Sequence, residues 1–163
     1  MKAVTSTLNE RDIWRDIAFQ APSFTSVQWY VTFTDFVGER TAPAFVHWFT
    51  RKNFRHCLAF RATEQGTLVC NPLGQGLYLH WAPGSAADYA QGCLRTGWPT
   101  LSFETALTTN YFSSGMMTCV SVLKALLNVR SPWVITPYQL HQQLLKSGAC
   151  SLVLHSNDDQ GKG

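Results

Sequence analysis

The chain has 163 residues, of which 45% are hydrophobic, 13% aromatic and only 14% charged, against a usual charged share of about 25%. Six Trp, five Tyr and ten Phe carry enough apolar surface to offset the entropy of ordering, which excludes intrinsic disorder for most of the chain, and nothing in the pattern fits a coiled coil, collagen or a repeat array. A net charge of +3 and an isoelectric point near 8.7 are too mild to mark a nucleic-acid partner.

Thr7 and Glu10 have capping-box spacing, and Leu8, Ile13, Trp14 and Ile17 recur at roughly helical intervals, so 8–19 reads as a short amphipathic helix ended by Ala21-Pro22-Ser23. From Val27 to Thr34 the pattern becomes strict alternation, with Val27, Trp29, Val31 and Phe33 on one face and Gln28, Tyr30, Thr32 and Thr34 on the other. That is a half-buried strand. Val37 to Pro43 is a turn, and 44–49 and 54–61 are two further β-like runs broken at Arg51-Lys52-Asn53. Glu64-Gln65-Gly66 turns into a strand from Thr67 to Asn71, Pro72 to Gly76 interrupts the sheet, and Leu77 to Trp81 resumes it.

The Gly/Pro/Ser-studded stretch 82–99 reads as a loop, and 101–109 as the last strand of that half. A helix is predicted over roughly Thr118 to Asn128, with Val120, Leu123, Leu126 and Leu127 as its buried stripe. The next is better marked: Thr136 is an N-cap, Pro137 takes the first helical position, Leu140, Leu144 and Leu145 form the apolar face, and Gly148 terminates it. Cys150 to His155 reads as a closing strand and Asn157 to Gly163 as a mobile polar tail. The expected organisation is one domain over 1–156 with a tail over 157–163, of α+β class, an antiparallel sheet packed against helices.

No run of about 18 apolar residues exists, so no transmembrane segment is predicted, and Met1 to Gln20 carries Glu10, Arg11, Asp12, Arg15 and Asp16 where a signal peptide would be apolar. Five cysteines, an odd number in a chain of this size, favour reduced thiols and a cytoplasmic setting.

The strongest chemical candidates are Cys119, at a helix start where unpaired N–H groups and the helix dipole favour a thiolate, and His56 in a strand. Cys119 taken alone equally fits a small buried hydrophobe. If 54–61 pairs with 66–71 around a four-residue loop (Ala62 to Gln65), Arg61 faces Gly66, His56 lies opposite Asn71 and Cys57 opposite Cys70. Asn71 then orients the imidazole as the third member of a Cys-His-Asn site does. His80 is the rival third residue, while His47, His141 and His155 read as ordinary histidines. His56, Cys57, Cys70, His80 and Cys93 hold enough donors for zinc, but none of the spacings that make a metal site legible occurs. Gly74-Gln75-Gly76 lacks the spacing of a nucleotide loop. No cofactor and no metal are therefore called for. Arg51, Lys52, Arg55 and Arg61 either meet an anionic group or form a solvated strand face.

The order histidine in a strand, polar residue on the next strand, then cysteine at a helix start resembles the circularly permuted branch of the NlpC-type papain-like superfamily, which includes bacterial YaeF- and YiiX-like proteins and the lecithin retinol acyltransferase group. Phe54-Arg55-His56-Cys57-Leu58-Ala59-Phe60, the strand Leu68-Val69-Cys70 ending at Asn71-Pro72, and Thr118-Cys119-Val120-Ser121-Val122-Leu123-Lys124 with the following Ile135-Thr136-Pro137-Tyr138-Gln139-Leu140 carry it. Small proteins of tailed bacteriophages are similar as well. The resemblance covers about 27–146 and implies a permuted papain-like fold, with Cys119 as nucleophile, His56 as general base and Asn71 as the orienting residue. Two departures stand out: Thr118 precedes the cysteine where many relatives carry Asn or Asp, and the third residue is an amide where others have His or a carboxylate.

The expected function is a thiol-dependent hydrolase or acyltransferase acting on an amide or ester, with a peptide, peptidoglycan or acyl substrate left open. The rival expectation is a non-catalytic structural or binding protein on the same fold, such as a virion component of a phage, meeting protein partners through its aromatic surface.

Overall fold

The structure is a computed structural model describing residues 26–35, 50–73, 76–106 and 118–154. The predicted helix over 8–19, the turn Val37 to Pro43, the β-like run 44–49, the tail 157–163, His47 and His155 lie outside the described residues.

Alternating apolar residues form β1 (Ser26–Thr34), which sits inside a six-stranded sheet with β2 (His56–Thr63), β3 (Gly66–Leu73), β4 (Gly76–Ala82), β5 (Thr100–Ala106) and β6 (Cys150–Ser151). The strand order is β4-β3-β2-β1-β5-β6 and every neighbouring pair is antiparallel. Three helices pack on it, α1 (Ala86–Arg95), α2 (Cys119–Leu126) and α3 (Pro137–Lys146). The architecture is α+β, as the sequence predicts.

One face of the sheet carries Trp29, Val31, Phe33, Cys57, Ala59, Cys70 and Leu101 against Val120, Leu123 and Leu127 from α2 and its end and Leu140 and Leu144 of α3. This is the larger core, and each fully buried Leu or Phe in it contributes about 1.5–3 kcal/mol. The opposite face carries Leu58, Phe60 and Val69 against Ala86, Ala90 and Cys93 of α1.

That second layer corrects the expectation of a loop over 82–99. Ser85 caps α1, its Oγ accepting from the Asp88 N–H at 3.1 Å, and the small residues Ala86, Ala90 and Cys93 form the buried stripe. The signal was the Ser-x-x-Asp spacing, masked by Gly and Pro on either side. The helix also accounts for burial on the other face of β1: Thr32, beside Cys93 of α1, has no exposed surface, and Thr32 and Thr100 satisfy one another through a 2.8 Å hydroxyl hydrogen bond.

The β2–β3 hairpin is tighter than predicted. Thr63 pairs with Gly66 around a two-residue turn, Glu64-Gln65, where a four-residue loop was expected. Gly66 holds φ +121°, a left-handed backbone that disfavours any side chain, and a Cβ there would lie 3.2 Å from the Ala82 carbonyl oxygen. The register moves by two residues as a result, so that Arg61 faces Leu68 and Ala59 faces Cys70, rather than Gly66 and Cys57. A slip of two, unlike a slip of one, leaves every side chain on its predicted face.

Pro72 to Gly76 does not interrupt the sheet: β3 and β4 stay paired through Leu73↔Gly76. Pairing of β2 with β3, by contrast, runs only to Ala59↔Cys70, while β2 continues against β1 to His56↔Thr34 and β3 continues against β4. The two central strands part there. Pro72, which has no N–H to give a ladder, lies in the parted stretch.

β5 is described as far as Ala106, the predicted 107–109 lying outside the described residues, and β6 is two residues long where a strand from Cys150 was predicted to run on through Leu154 to His155, the last outside the described residues. Both α2 and α3 begin at threonine N-caps with reciprocal capping boxes, Thr118–Ser121 and Thr136–Gln139. α3 starts on Pro137 and ends before Gly148 at φ +94°, as predicted.

Candidate active site

The parted ends of β2 and β3 form the floor of the site, and the first turn of α2 stands over them. Thr118 Oγ1 accepts from the Ser121 N–H at 3.1 Å while Ser121 Oγ accepts from the Thr118 N–H at 2.8 Å, which fixes the angle at which the helix begins. Cys119 is the first helical residue. Helix geometry leaves the N–H groups of Cys119 and Val120 without partners in the ladder, so the sulfur sits at the positive end of the helix dipole.

His56, the first residue of β2, is only 3% exposed. Its Nε2–H donates to Asn71 Oδ1 at 2.8 Å. Asn71 lies beyond the last β2–β3 pair, Ala59↔Cys70, so it reaches His56 across the parted strand ends rather than from the directly opposed ladder position. The predicted contact thus forms from a different register. With Nε2 committed to Asn71, Nδ1 is the ring nitrogen left to take a thiol proton. The imidazole is hydrogen-bonded to the Cys119 thiol.

The structure therefore brings together Cys119, His56 and Asn71, residues far apart in the chain. His80 lies opposite Val69 on exposed β4, and the histidine's amide partner is Asn71.

A fourth residue joins them. Cys57 has no exposed surface, and both its thiol and its backbone N–H are hydrogen-bonded to Cys119. These contacts set the electrostatics. The Cys57 thiol, against the opposing cost of burial, leads the groups that hold the Cys119 thiol well below its usual pKa, followed by the hydrogen bond and charge of His56 and then the Cys57 N–H. Burial pulls the His56 imidazole down, but the hydrogen bond and charge of Cys119 and the Asn71 hydrogen bond outweigh it, and its pKa rises. Burial drives the Cys57 thiol well above its usual range, so it remains a donor. Both shifts move the pair in the same direction, toward a thiolate facing an imidazolium.

Sequence reasoning paired Cys57 with Cys70 and missed this role. The available signal was its place beside His56 on the alternate face, the one that meets the helix carrying Cys119. The remaining thiols are unlike Cys119: burial pushes Cys70 up to about 11 and raises Cys93, while Cys150 is exposed.

The basic residues do not converge on the site as a set. Arg51 stacks on Tyr138 at 3.9 Å, Arg55 lies 3.8 Å from Asp35, and Arg61 lies 5.5 Å from the Trp29 ring. His141 packs edge-on against Phe33 and Phe54 at 5.1 and 5.0 Å, and burial lowers its pKa. Among the described residues no three His, Cys, Asp or Glu side chains are grouped to hold a metal, and no helix is long and apolar enough to cross a membrane.

Comparison of the chain with protein-family models, with curated proteins and with solved structures gave no match. The site is therefore read from its own chemistry.

Proposed function

We propose that the protein is a thiol-dependent hydrolase or acyltransferase that acts on an amide or ester carbonyl, built as a circularly permuted papain-like fold. One observation carries the reading: a cysteine at a helix start shares a hydrogen bond with a buried histidine whose far nitrogen donates to an asparagine oxygen at 2.8 Å. Cysteine nucleophile, base and orienting group are the three parts that nucleophilic acyl transfer requires.

The chemistry follows from the placement. His56 holds the proton taken from Cys119, and the thiolate attacks the carbonyl carbon. A C–S bond forms as the carbonyl electrons move to oxygen, where the free N–H at the start of α2 donates to the oxyanion. Collapse breaks the bond to the amine or alcohol, which leaves with the proton from His56. The thioester is then released by water or by another acceptor, with His56 as base. Asn71 keeps the ring in the tautomer this needs, but an amide stabilises the imidazolium less than a carboxylate does.

Iodoacetamide treatment near pH 7 with peptide mapping tests the reading, together with turnover of p-nitrophenyl esters and p-nitroanilides. Cys119 should be carboxamidomethylated well ahead of the other thiols, and Cys119→Ala should abolish turnover. If Cys119 reacts no faster than exposed Cys150 and the alanine variant loses nothing, the same fold serves a structural or binding role instead.

A further inference from the structure

Strand β4 is unlike the rest of the sheet. Among the described residues it is an edge strand, paired along all seven of its residues to β3, yet Leu77, Tyr78, Leu79, His80 and Trp81 are all exposed, with Tyr78, Leu79 and Trp81 showing 54, 58 and 52% of their surface. The helices pack over the other strands, with α2 over β2 and β3, and α1 over β1, β2, β3 and β5.

Natural sheets blunt a free edge with charge, proline, a bulge or brevity. The opposite edge, β6, is two residues long. Gly76-Leu77-Tyr78-Leu79-His80-Trp81-Ala82 contains no Lys, Arg, Asp, Glu or Pro, and its pairing to β3 is unbroken by a bulge. A strand of this kind is built to be paired.

The sequence of β4 also says with what. Read about Leu79 it is palindromic in kind: small residues at both ends, then Leu77 and Trp81, then the rings of Tyr78 and His80. In an antiparallel pair of two copies centred on Leu79, Leu79 faces Leu79, Leu77 faces Trp81, Tyr78 faces His80 and Gly76 faces Ala82. Because side chains alternate, the leucines and tryptophans of both copies fall on one face as a continuous apolar row, and the tyrosine–histidine pairs fall on the other. No charge is buried and no bulky side chain meets an incompatible one. A two-fold axis requires this self-complementarity of an isologous interface, whereas an unrelated partner does not.

We infer that β4 is the dimerisation edge of this protein, joining a second copy antiparallel about Leu79 into one continuous sheet. The inference stands apart from the proposed chemistry. Tyr78 is register partner to Asn71, so His80 of the partner subunit, facing Tyr78, lies two strands from Asn71 on the same face of the joined sheet.

The test uses the full chain, with Cys150→Ser introduced to remove the exposed native thiol. Sedimentation velocity over a range of micromolar concentrations should give twice the mass of the chain. Leu79→Lys, which sets two ammonium groups against each other on the axis, should raise the dissociation midpoint by at least about tenfold. Trp133→Lys, at a side chain 84% exposed outside the sheet, should leave it unchanged. Register is read by single cysteines: on mild oxidation Leu79→Cys should link two copies, while Leu77→Cys and Trp81→Cys, each offset by four residues from its own copy, should not. A monomer throughout the range, a dimer indifferent to Leu79→Lys, or equal crosslinking at all three positions overturns the inference. In each case circular dichroism verifies that the exposed substitution leaves the fold intact.

Discussion

Replacing His56 by alanine tests the electrostatic reasoning most directly, because it removes two of the interactions that hold Cys119 as a thiolate, a hydrogen bond and a positive charge, and leaves the Cys57 contacts in place. A hydrogen bond to a charged group is worth about 1.5–3 kcal/mol, and one pKa unit corresponds to about 1.36 kcal/mol. The Cys119 pKa should therefore move up by about one to two units. The sign is fixed: losing a cation makes the anion harder to form. The assay is the rate of carboxamidomethylation at each cysteine against pH, followed by mass spectrometry. On the acid limb the thiolate fraction falls about 10- to 100-fold, part of which returns because a more basic thiolate is a better nucleophile, with a Brønsted coefficient of about 0.4–0.5. The net loss at fixed acidic pH is about three- to tenfold. Cys70 supplies the internal scale. With its pKa pushed up to about 11, about one thiol in 10⁴ is ionised at pH 7. Cys119, whose thiol is held well below its usual range, should therefore alkylate well ahead of Cys70 in the unaltered protein. An unshifted profile in the His56→Ala variant, from a chain with unchanged circular dichroism, refutes the coupling of the two groups.

Further expectations follow from the same contacts. Cys57→Ala removes the leading support of the Cys119 thiolate and should shift its alkylation profile to higher pH, whereas Cys57→Ser, which keeps a donor, should shift it less; equal profiles for both would show that the second thiol is only packing. Asn71→Ala leaves the Nε2–H of a buried ring without its acceptor, a loss of about 1–3 kcal/mol that should cut ester turnover about 10- to 100-fold with Cys119 still alkylated, and Asn71→Asp should raise the His56 pKa further in an NMR titration. Turnover itself should be bell-shaped in pH, falling in acid as Cys119 takes up its proton and falling in alkali above 6.5, because the raised His56 pKa delays loss of the imidazolium proton. Ser85→Ala should lower stability by about 1 kcal/mol through loss of the α1 cap, seen as a fall in Tm of about 2–4 °C.

Each element that was legible in the sequence owes its form to a local rule. The N-cap Thr136, Pro137 at a helix start and Gly148 past its end act within one turn of chain, and the alternation of Val27 to Phe33 follows from the pleat of a strand. The same kind of rule placed Cys119 at a helix start and His56 on a strand. α1 escaped because its buried stripe consists of Ala86, Ala90 and Cys93, too small to stand out against flanking Gly and Pro, and its Ser85–Asp88 cap was the only mark it left. With α1 unseen, the burial of Thr32 was out of reach.

What the sequence alone determined, then, was the class of the fold, the faces of its strands and the residue types able to perform acyl chemistry, because propensity, capping and side-chain alternation are set by near neighbours. The tertiary structure decided how His56 meets Asn71, the entry of Cys57 into the site and the exposure of β4. The contact between His56 and Asn71 depends on a two-residue turn at Glu64-Gln65 and on the parting of β2 from β3 beyond Cys70, and the place of Cys57 depends on a helix arriving from more than fifty residues away. Such facts are not local: they arise from the mutual fit of surfaces distant in the chain, and a register error of two residues, which preserved every face, still left the geometry of the site to be fixed by packing.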